Sequence, residues 1–346
     1  MNQLAAEAAR PPASLSRPAI SILMVTHNSW PVLPRCLDSI AAQTRTPYEI
    51  IVVDNASTDG TPHLIRRDYP LMRVVENRAN VGFAAAVNQA AACARGAYLL
   101  LLNPDTVILD GAIDRLYAWS TAEEARGLRV GIWAPRTVDL DGKPTQNSQP
   151  FYRPYRLFWT EFRKGPLRPL ADWILAREKP ADRGPADTGT DDLTYDDLTY
   201  IDAAYGCALM IAAALYAQIG GLDEQFFMYE EDIDLCLRVK QAGYVTAYAP
   251  HATVVHMGGA SATGGPEAHS VGRTHVTLRR TRSRLVYATK HLGAGWVILL
   301  RVLYGGMGLA CLLGSLIPGS AWRNERRRWL GKTYLASAWQ VRKPRT

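Results

Sequence analysis

The chain has 346 residues, of which 48% are hydrophobic and 21% charged. That length and apolar content supply a full buried core with room for a further element, and they exclude a disordered polymer. The net charge of +7 is uneven: from residue 268 onward 15 Lys and Arg face one acid, Glu325, whereas the preceding residues carry 24 cations and 31 acids. An acidic body therefore joins a strongly basic tail. The five cysteines (Cys36, Cys93, Cys207, Cys236, Cys311) show no Cys-x-x-Cys pair, and read as reduced, buried thiols of a cytosolic protein. Residues 1–17 are rich in Ala and Pro without an apolar stretch after Met1, which suggests a disordered tail and not a signal peptide.

Residues 19–26 form a short apolar run, as a buried parallel strand would. A helical pattern follows over 31–43, and 48–53 repeats the apolar run and ends on Asp54-Asn55. Ser57-Thr58-Asp59-Gly60-Thr61 offers turn and cap chemistry for a helix over 61–68, with Asp59 as a capping acid. A third strand is expected at 72–76, an alanine-rich helix at 82–94, and a fourth strand at 97–102 that ends on Asn103-Pro104-Asp105. This alternation predicts a doubly wound, Rossmann-like α/β sheet, whose ligands sit outside the strands' carboxyl ends. From 141 to 200 the pattern breaks into Pro, Arg and aromatics, with Asp-Asp-Leu-Thr-Tyr twice in tandem. This stretch reads as a variable loop region bearing acceptor contacts. Residues 200–211 resume as a strand, followed by a carboxylate-rich helix and short strands at 244–248 and 252–256.

Four polar clusters fall where one crevice collects them: Thr26-His27-Asn28, Asp54-Asn55, Asn103-Pro104-Asp105 and Glu231-Asp232. The last lies in the run 226–238, which places Glu230, Glu231, Asp232 and Asp234 at a helix start. Exposed N–H groups there favour anions, but a structural cap needs one or two acids, not four. The surplus points to a carboxylate that takes a proton or faces a cation. Asp105, after a buried strand, suits a divalent ion, and Asp54 suits a base N–H or ribose hydroxyl. The plain alternatives are a helix-start charge for Asp232, a turn acid for Asp54 and a buried histidine for His256. Asp234 is placed to pair with Arg238 at i,i+4.

Four segments, in order across about residues 19–260, carry a family resemblance. They are Val-Asp-Asn-Ala-Ser-Thr-Asp-Gly (53–60), Asn-Val-Gly-Phe-Ala-Ala-Ala-Val-Asn (80–88), Leu-Asn-Pro-Asp (102–105) and the 226–238 run. Together they resemble family 2 glycosyltransferases, and more narrowly their rhamnosyltransferase-like branch. The resemblance implies a GT-A fold and inverting transfer of a sugar from a nucleotide diphosphate donor. L-rhamnose from dTDP-rhamnose is the expected donor, with a UDP- or GDP-sugar as the alternative. The acceptor implied is a lipid-linked (polyprenyl-diphosphate) or cell-envelope glycan. Asp54 would read the base, Asn80 and the Gly82-Phe83 turn would border the nucleotide, and Thr26, Asn28, Asn55, Asn88, Asn103 and Glu231 would complete the donor site. Asp105 would hold Mg2+ or Mn2+, and Asp232 would be the general base. His256, 24 residues beyond Asp232, matches a metal-ligand position, with His251 as its rival. The family's usual Asp-x-Asp reads Asn103-Pro104-Asp105 here, one charge fewer for the ion.

The tail holds the longest apolar run, 295–317, interrupted by Arg301 and flanked by Arg279, Arg280, Arg282, Arg284 and by Arg326, Arg327, Arg328. Its length suits a membrane span, an interfacial helix with anionic lipid around it, or a helical hairpin of a soluble dimer. The arginines before it suit diphosphate, lipid phosphate or solvent. A nucleic-acid partner has no accompanying fold signature. These features predict three parts: the tail at 1–17, a GT-A domain at 18–267, and a helical region at 268–346 on the cytoplasmic face of the inner membrane. A homo-oligomer is compatible with them. Two other functions compete. A nucleotidyltransferase would need a glycine- and cation-bearing phosphate loop after the first strand, and residues 26–30 provide neither. A non-catalytic glycan-binding or scaffold relative would have no use for Asp105 and Asp232.

Overall fold

The computed structural model describes residues 17–125, 129–162, 168–176, 199–258, 269–317 and 321–339. The tandem repeat lies almost entirely outside them, as does most of the N-terminal tail. The chain forms two compact units. The first takes residues 1–151, 181–224 and 231–264; the second takes 152–180, 225–230 and 265–346.

In the first unit, β1 (Ile20–Thr26), β2 (Tyr48–Asp54), β3 (Arg73–Glu76) and β4 (Tyr98–Leu102) lie parallel in the order β3-β2-β1-β4. Between them run α1 (Leu33–Gln43), α2 (Thr61–Asp68) and α3 (Phe83–Ala92). The apolar runs become central strands because both faces are covered. Ile20, Ile22 and Met24 share a core cluster with Leu33, Cys36, Leu37 and Ile40 of α1. On β1 and β2 also packs α3, whose small Ala84, Ala86 and Ala90 are buried. Gly82, at φ 95°, turns the chain into α3.

The sheet then departs from the expected all-parallel winding. After β5 (Thr106–Ile108), α4 (Ala112–Ala125), β6 (Val130–Val138) and β7 (Ser148–Gln149), the chain returns through β8 (Thr199–Ile201), β9 (Ala203–Ala204) and β10 (Ala208–Ala212). Strand β10 runs antiparallel between β4 and β6. After α7 (Ala213–Gln218) and α8 (Glu231–Gln241), β11 (Val245–His256) pairs parallel with β6 and antiparallel with β5 and β8. The large sheet has nine strands. The single strand expected at 200–211 is three short ones, and the two expected at 244–256 are one strand with a register shift between Ala249 and Thr253. Asp234 and Arg238 of α8 form the expected ion pair at 2.8 Å.

The second unit is helical: α5 (Pro154–Phe162), α6 (Arg168–Ala176), α9 (His269–His291), α10 (Ala294–Gly314) and α11 (Ala321–Trp339), besides the segment 225–230. Two helices thus stand inside the region expected to be irregular. Helix α9 packs on both α10 and α11, which pack along one another. Gly308 and Gly331 allow the α10–α11 approach. A Cβ on Gly308 would stand 3.0 Å from the Gly331 carbonyl, and one on Gly331 would stand 2.9 Å from that of Gly308. Among the described residues, α10 alone is long and apolar enough to cross a membrane, and only 17% of its most apolar window is buried.

The β1–β4 edge has its own close approach. A Cβ on Gly96 would lie 2.5 Å from the Ser21 nitrogen, and the Gly96 N–H donates to Ser21 Oγ at 2.8 Å. A backbone contact cannot rotate away. Gly96→Ala should therefore cost about 1–3 kcal/mol, read as a lower urea midpoint with an unchanged slope.

Candidate active site

The carboxyl ends of the parallel strands assemble a polar edge. Thr26 and Asp54 are register partners, and the Thr26 hydroxyl donates to Asp54 Oδ1 at 2.8 Å. The same carboxylate accepts the Ser57 hydroxyl at 2.5 Å and the Ser57 N–H at 2.8 Å. Asp54 is thereby 1% exposed and committed to its own turn. Asn28 stands at φ 54° and its side-chain oxygen accepts the Thr58 N–H at 2.7 Å. Asn55 donates to the Gly82 carbonyl at 3.1 Å and accepts from Asn77 at 2.9 Å. Asn80 accepts the Gly82 N–H at 3.0 Å, which shapes the turn into Phe83. Two loops after β1 and β2 are thus cross-braced, with Asn28 and Ala56 (φ 59°) held at a positive φ that non-glycine residues rarely adopt.

Asn88 does not join this edge. Its side chain donates to the Leu222 carbonyl and Glu224 and accepts from Tyr216 and the Leu222 N–H, so it holds the 216–224 turn.

Strand β10 brings the second half of the site. It enters against β4 at Ala208↔Leu102, and the Asn103 N–H donates to the Cys207 carbonyl at 2.9 Å. One residue earlier, the Gly206 N–H donates to Asp232 Oδ2 at 2.8 Å. Asp232 Oδ1 accepts the Ile233 N–H at 2.9 Å. Asp232 is half-buried, whereas Glu231, which opens α8, is buried. Asp105 is 1% exposed, and its Oδ1 has no hydrogen-bond partner but lies 3.5 Å from His256 Nε2. His256 is carried there by β11, whose pairing with β5 sets it opposite Thr106. The rival His251 stands edge-on to Trp119, ring centroids 6.2 Å apart. Cys207 reports how these groups converge. Burial, followed by the charges of Asp105 and Asp232, pushes its thiol up to about 12. Both carboxylates therefore act on one buried atom.

A cation fits Asp105 and His256 in donor type: a carboxylate oxygen without a proton donor, and an imidazole beside it. Among the described residues no third His, Cys, Asp or Glu completes a protein-only cluster. Remaining ligands would come from a bound anion.

Sequence reasoning missed Ser57, Asn77 and Gly206. Ser57 lies inside a motif already singled out; Gly206 gave a local signal, a glycine just before an apolar strand. Nothing local marked Asn77.

A family model described as glycosyl transferase family 2 matches residues 21–171. The chain is 29% identical over 331 residues to the N-acetylglucosaminyl-diphospho-decaprenol L-rhamnosyltransferase of Mycobacterium tuberculosis, covering 90% of this chain and 96% of that one. It is 29% identical over 134 residues to the succinoglycan biosynthesis protein ExoO of Rhizobium meliloti, 38% of each chain. Among solved structures, GalNAc-T7 with UDP, GalNAc and Mn2+ superposes with a TM-score of 0.50 at 18% identity, covering 69% of this chain and 43% of that one. With four motifs in order on a mixed α/β sheet of GT-A type, the chain belongs to glycosyltransferase family 2 and is similar to its rhamnosyltransferase-like members.

Proposed function

We propose that the protein transfers a sugar, L-rhamnose from dTDP-rhamnose, with inversion to a hydroxyl of a polyprenyl-diphosphate-linked glycan in cell-envelope polysaccharide synthesis. The observation that carries this reading is the convergence of Asp105 and Asp232 on Cys207, which sets a proton acceptor beside a cation-type acid. The M. tuberculosis relative, named for a lipid-linked N-acetylglucosamine acceptor and for rhamnose, supports the substrate classes.

In this reading Asp232 takes the proton of the acceptor hydroxyl as its oxygen bonds to the anomeric carbon. The bond to the donor diphosphate breaks, and its electron pair leaves on the diphosphate oxygen. The Gly206 and Ile233 N–H groups fix the two Asp232 oxygens and leave lone pairs for that proton. Asp105 and His256 would hold Mg2+ or Mn2+, an ion that neutralises charge on a leaving diphosphate when bound. The Asn55–Gly82–Asn80 brace lines the nucleotide side together with Thr26, Asn28, Phe83, Asn103 and Glu231. Asp54 would serve the base indirectly, through the Ser57 turn. The boundaries 1–17, 18–267 and 268–346 remain part of this proposal.

Helix α10 supports an interfacial location on the cytoplasmic leaflet. Ile298, Val302, Leu309, Leu313, Leu316 and Ile317 are exposed, and all but the last two recur at helical spacing within α10. Its packed neighbour α11 carries Arg323, Glu325, Arg326, Arg327 and Arg328. A spanning α10 would take those charges toward the hydrocarbon, whereas an in-plane helix leaves them at the headgroups.

Asp232→Asn should lower kcat by about 10²–10⁴-fold while donor binding by calorimetry stays within about twofold; wild-type turnover would remove Asp232 as base. Asp105→Asn should move the Mn2+ dependence of donor binding to roughly ten- to hundredfold higher concentration, a loss of about 1.4–3 kcal/mol. An unaltered titration would take the ion away from Asp105. Val302→Glu with Leu309→Glu should abolish flotation with phosphatidylglycerol vesicles, and carbonate washing should release the wild type. Resistance to carbonate would indicate a span.

A further inference from the structure

The arginines of α9 are not laid out for phosphate. Five consecutive residues, 226–230, are each held by one face of this helix. Lys290 Nζ stands 5.5 Å from the Phe226 ring centroid, and the Arg279 guanidinium lies 5.0 Å from that of Phe227. The Ser283 hydroxyl donates to the Met228 carbonyl at 2.8 Å. The Arg280 guanidinium covers the Tyr229 ring at 4.8 Å, and Arg284 Nε donates to Glu230 Oε1 at 3.2 Å. Residues 279 and 283, and 280 and 284, are i,i+4 neighbours, with 290 a further two turns along.

Arg284 anchors this arrangement from inside. It is 7% exposed and also pairs with the buried Glu161 of α5. Burial opposes its charge, but Glu161, then Tyr152 and Glu230, outweigh that and hold the guanidinium above its ordinary range. The segment needs such an anchor. Tyr229 and Glu230 stand at φ 71° and 68°, a conformation that side-chain-bearing residues keep only where their surroundings over-determine it. The next residue in the chain, Glu231, opens α8, and Asp232 follows it.

The geometry points to Arg284 and Glu230 as positioning residues for the general base: the buried Glu161–Arg284–Glu230 chain fixes the strained residues that set where α8 begins. This rests on the reading of Asp232 as base. It assigns to the basic helix a role in catalysis, where its composition alone suggested lipid or donor phosphate.

The test uses full-length protein in nanodiscs, with dTDP-rhamnose and a polyprenyl-diphosphate N-acetylglucosamine acceptor. Glu230→Gln leaves Arg284 its partner Glu161, so the fold keeps its buried charge compensated. It should lower kcat about tenfold, and Arg284→Met about a hundredfold. Donor affinity should stay within twofold, and the acid limb of the pH–kcat profile should shift as the base changes surroundings. If Arg284→Met does not fold, Glu230→Gln alone decides. Wild-type kcat in folded Glu230→Gln, beside an inactive Asp232→Asn, would overturn the positioning role and leave the base standing. Equal losses of kcat and donor affinity would overturn it as well, since a general loosening produces both. Wild-type turnover in Asp232→Asn would bring down base and positioning role together.

Discussion

One reversed strand makes the site possible. In a wholly parallel sheet, each strand's carboxyl end delivers one loop to the ligand edge, and the next strand begins at the far side. Strand β10, antiparallel between β4 and β6, instead brings its beginning to that edge. Gly206 and Cys207 therefore arrive beside Asn103 with their backbone groups available. The Cys207 carbonyl is taken by Asn103 and the Gly206 N–H by Asp232. An acid distant in sequence from the nucleotide-side motifs is thus tied to the strand that adjoins them.

The two halves of this edge are built by different means. On the nucleotide side, hydroxyl and amide side chains (Thr26, Ser57, Asn55, Asn77, Asn80) satisfy one another and leave few free donors. Such a network is rigid, since each broken bond would strand a buried polar group. Beside β10, the groups are charged and sparsely bonded. Asp105 keeps an unbonded oxygen next to His256. Rigid shape on one side and uncommitted charge on the other suit a donor recognised by fit and reacted through electrostatics.

Where sequence signals were local, they carried through. The apolar runs that became β1, β2 and β4, and the start of α2 at Thr61, were legible because strand and cap chemistry lie within a few residues. The polar strand ends were legible for the same reason. Asp54 was placed correctly, yet its use in the Ser57 turn depends on which way a buried hydroxyl points. Helices α5 and α6 escaped notice because prolines suggested a break. Pro154 instead occupies the first position of α5, where its missing N–H has no partner to lose. The 200–211 run was read as one strand because its residues are apolar throughout; Asp202 and the Tyr205–Gly206 turn divide it. The partners of Arg279, Arg280 and Arg284 lie some fifty residues upstream, and no periodicity encodes such a pairing.

Counting charges along the tail overstates what a membrane would feel. Of its 15 cations, Arg279, Arg280 and Lys290 cover aromatic rings and Arg284 is buried between two carboxylates. Less positive charge therefore faces a lipid surface than composition implies. Adsorption driven by counter-charge weakens steeply as ions screen it, whereas burial of the Ile298–Val302–Leu309 side of α10 does not. The attachment would then be set by acyl-chain packing more than by ionic strength, holding the enzyme on its leaflet in a salty cytoplasm.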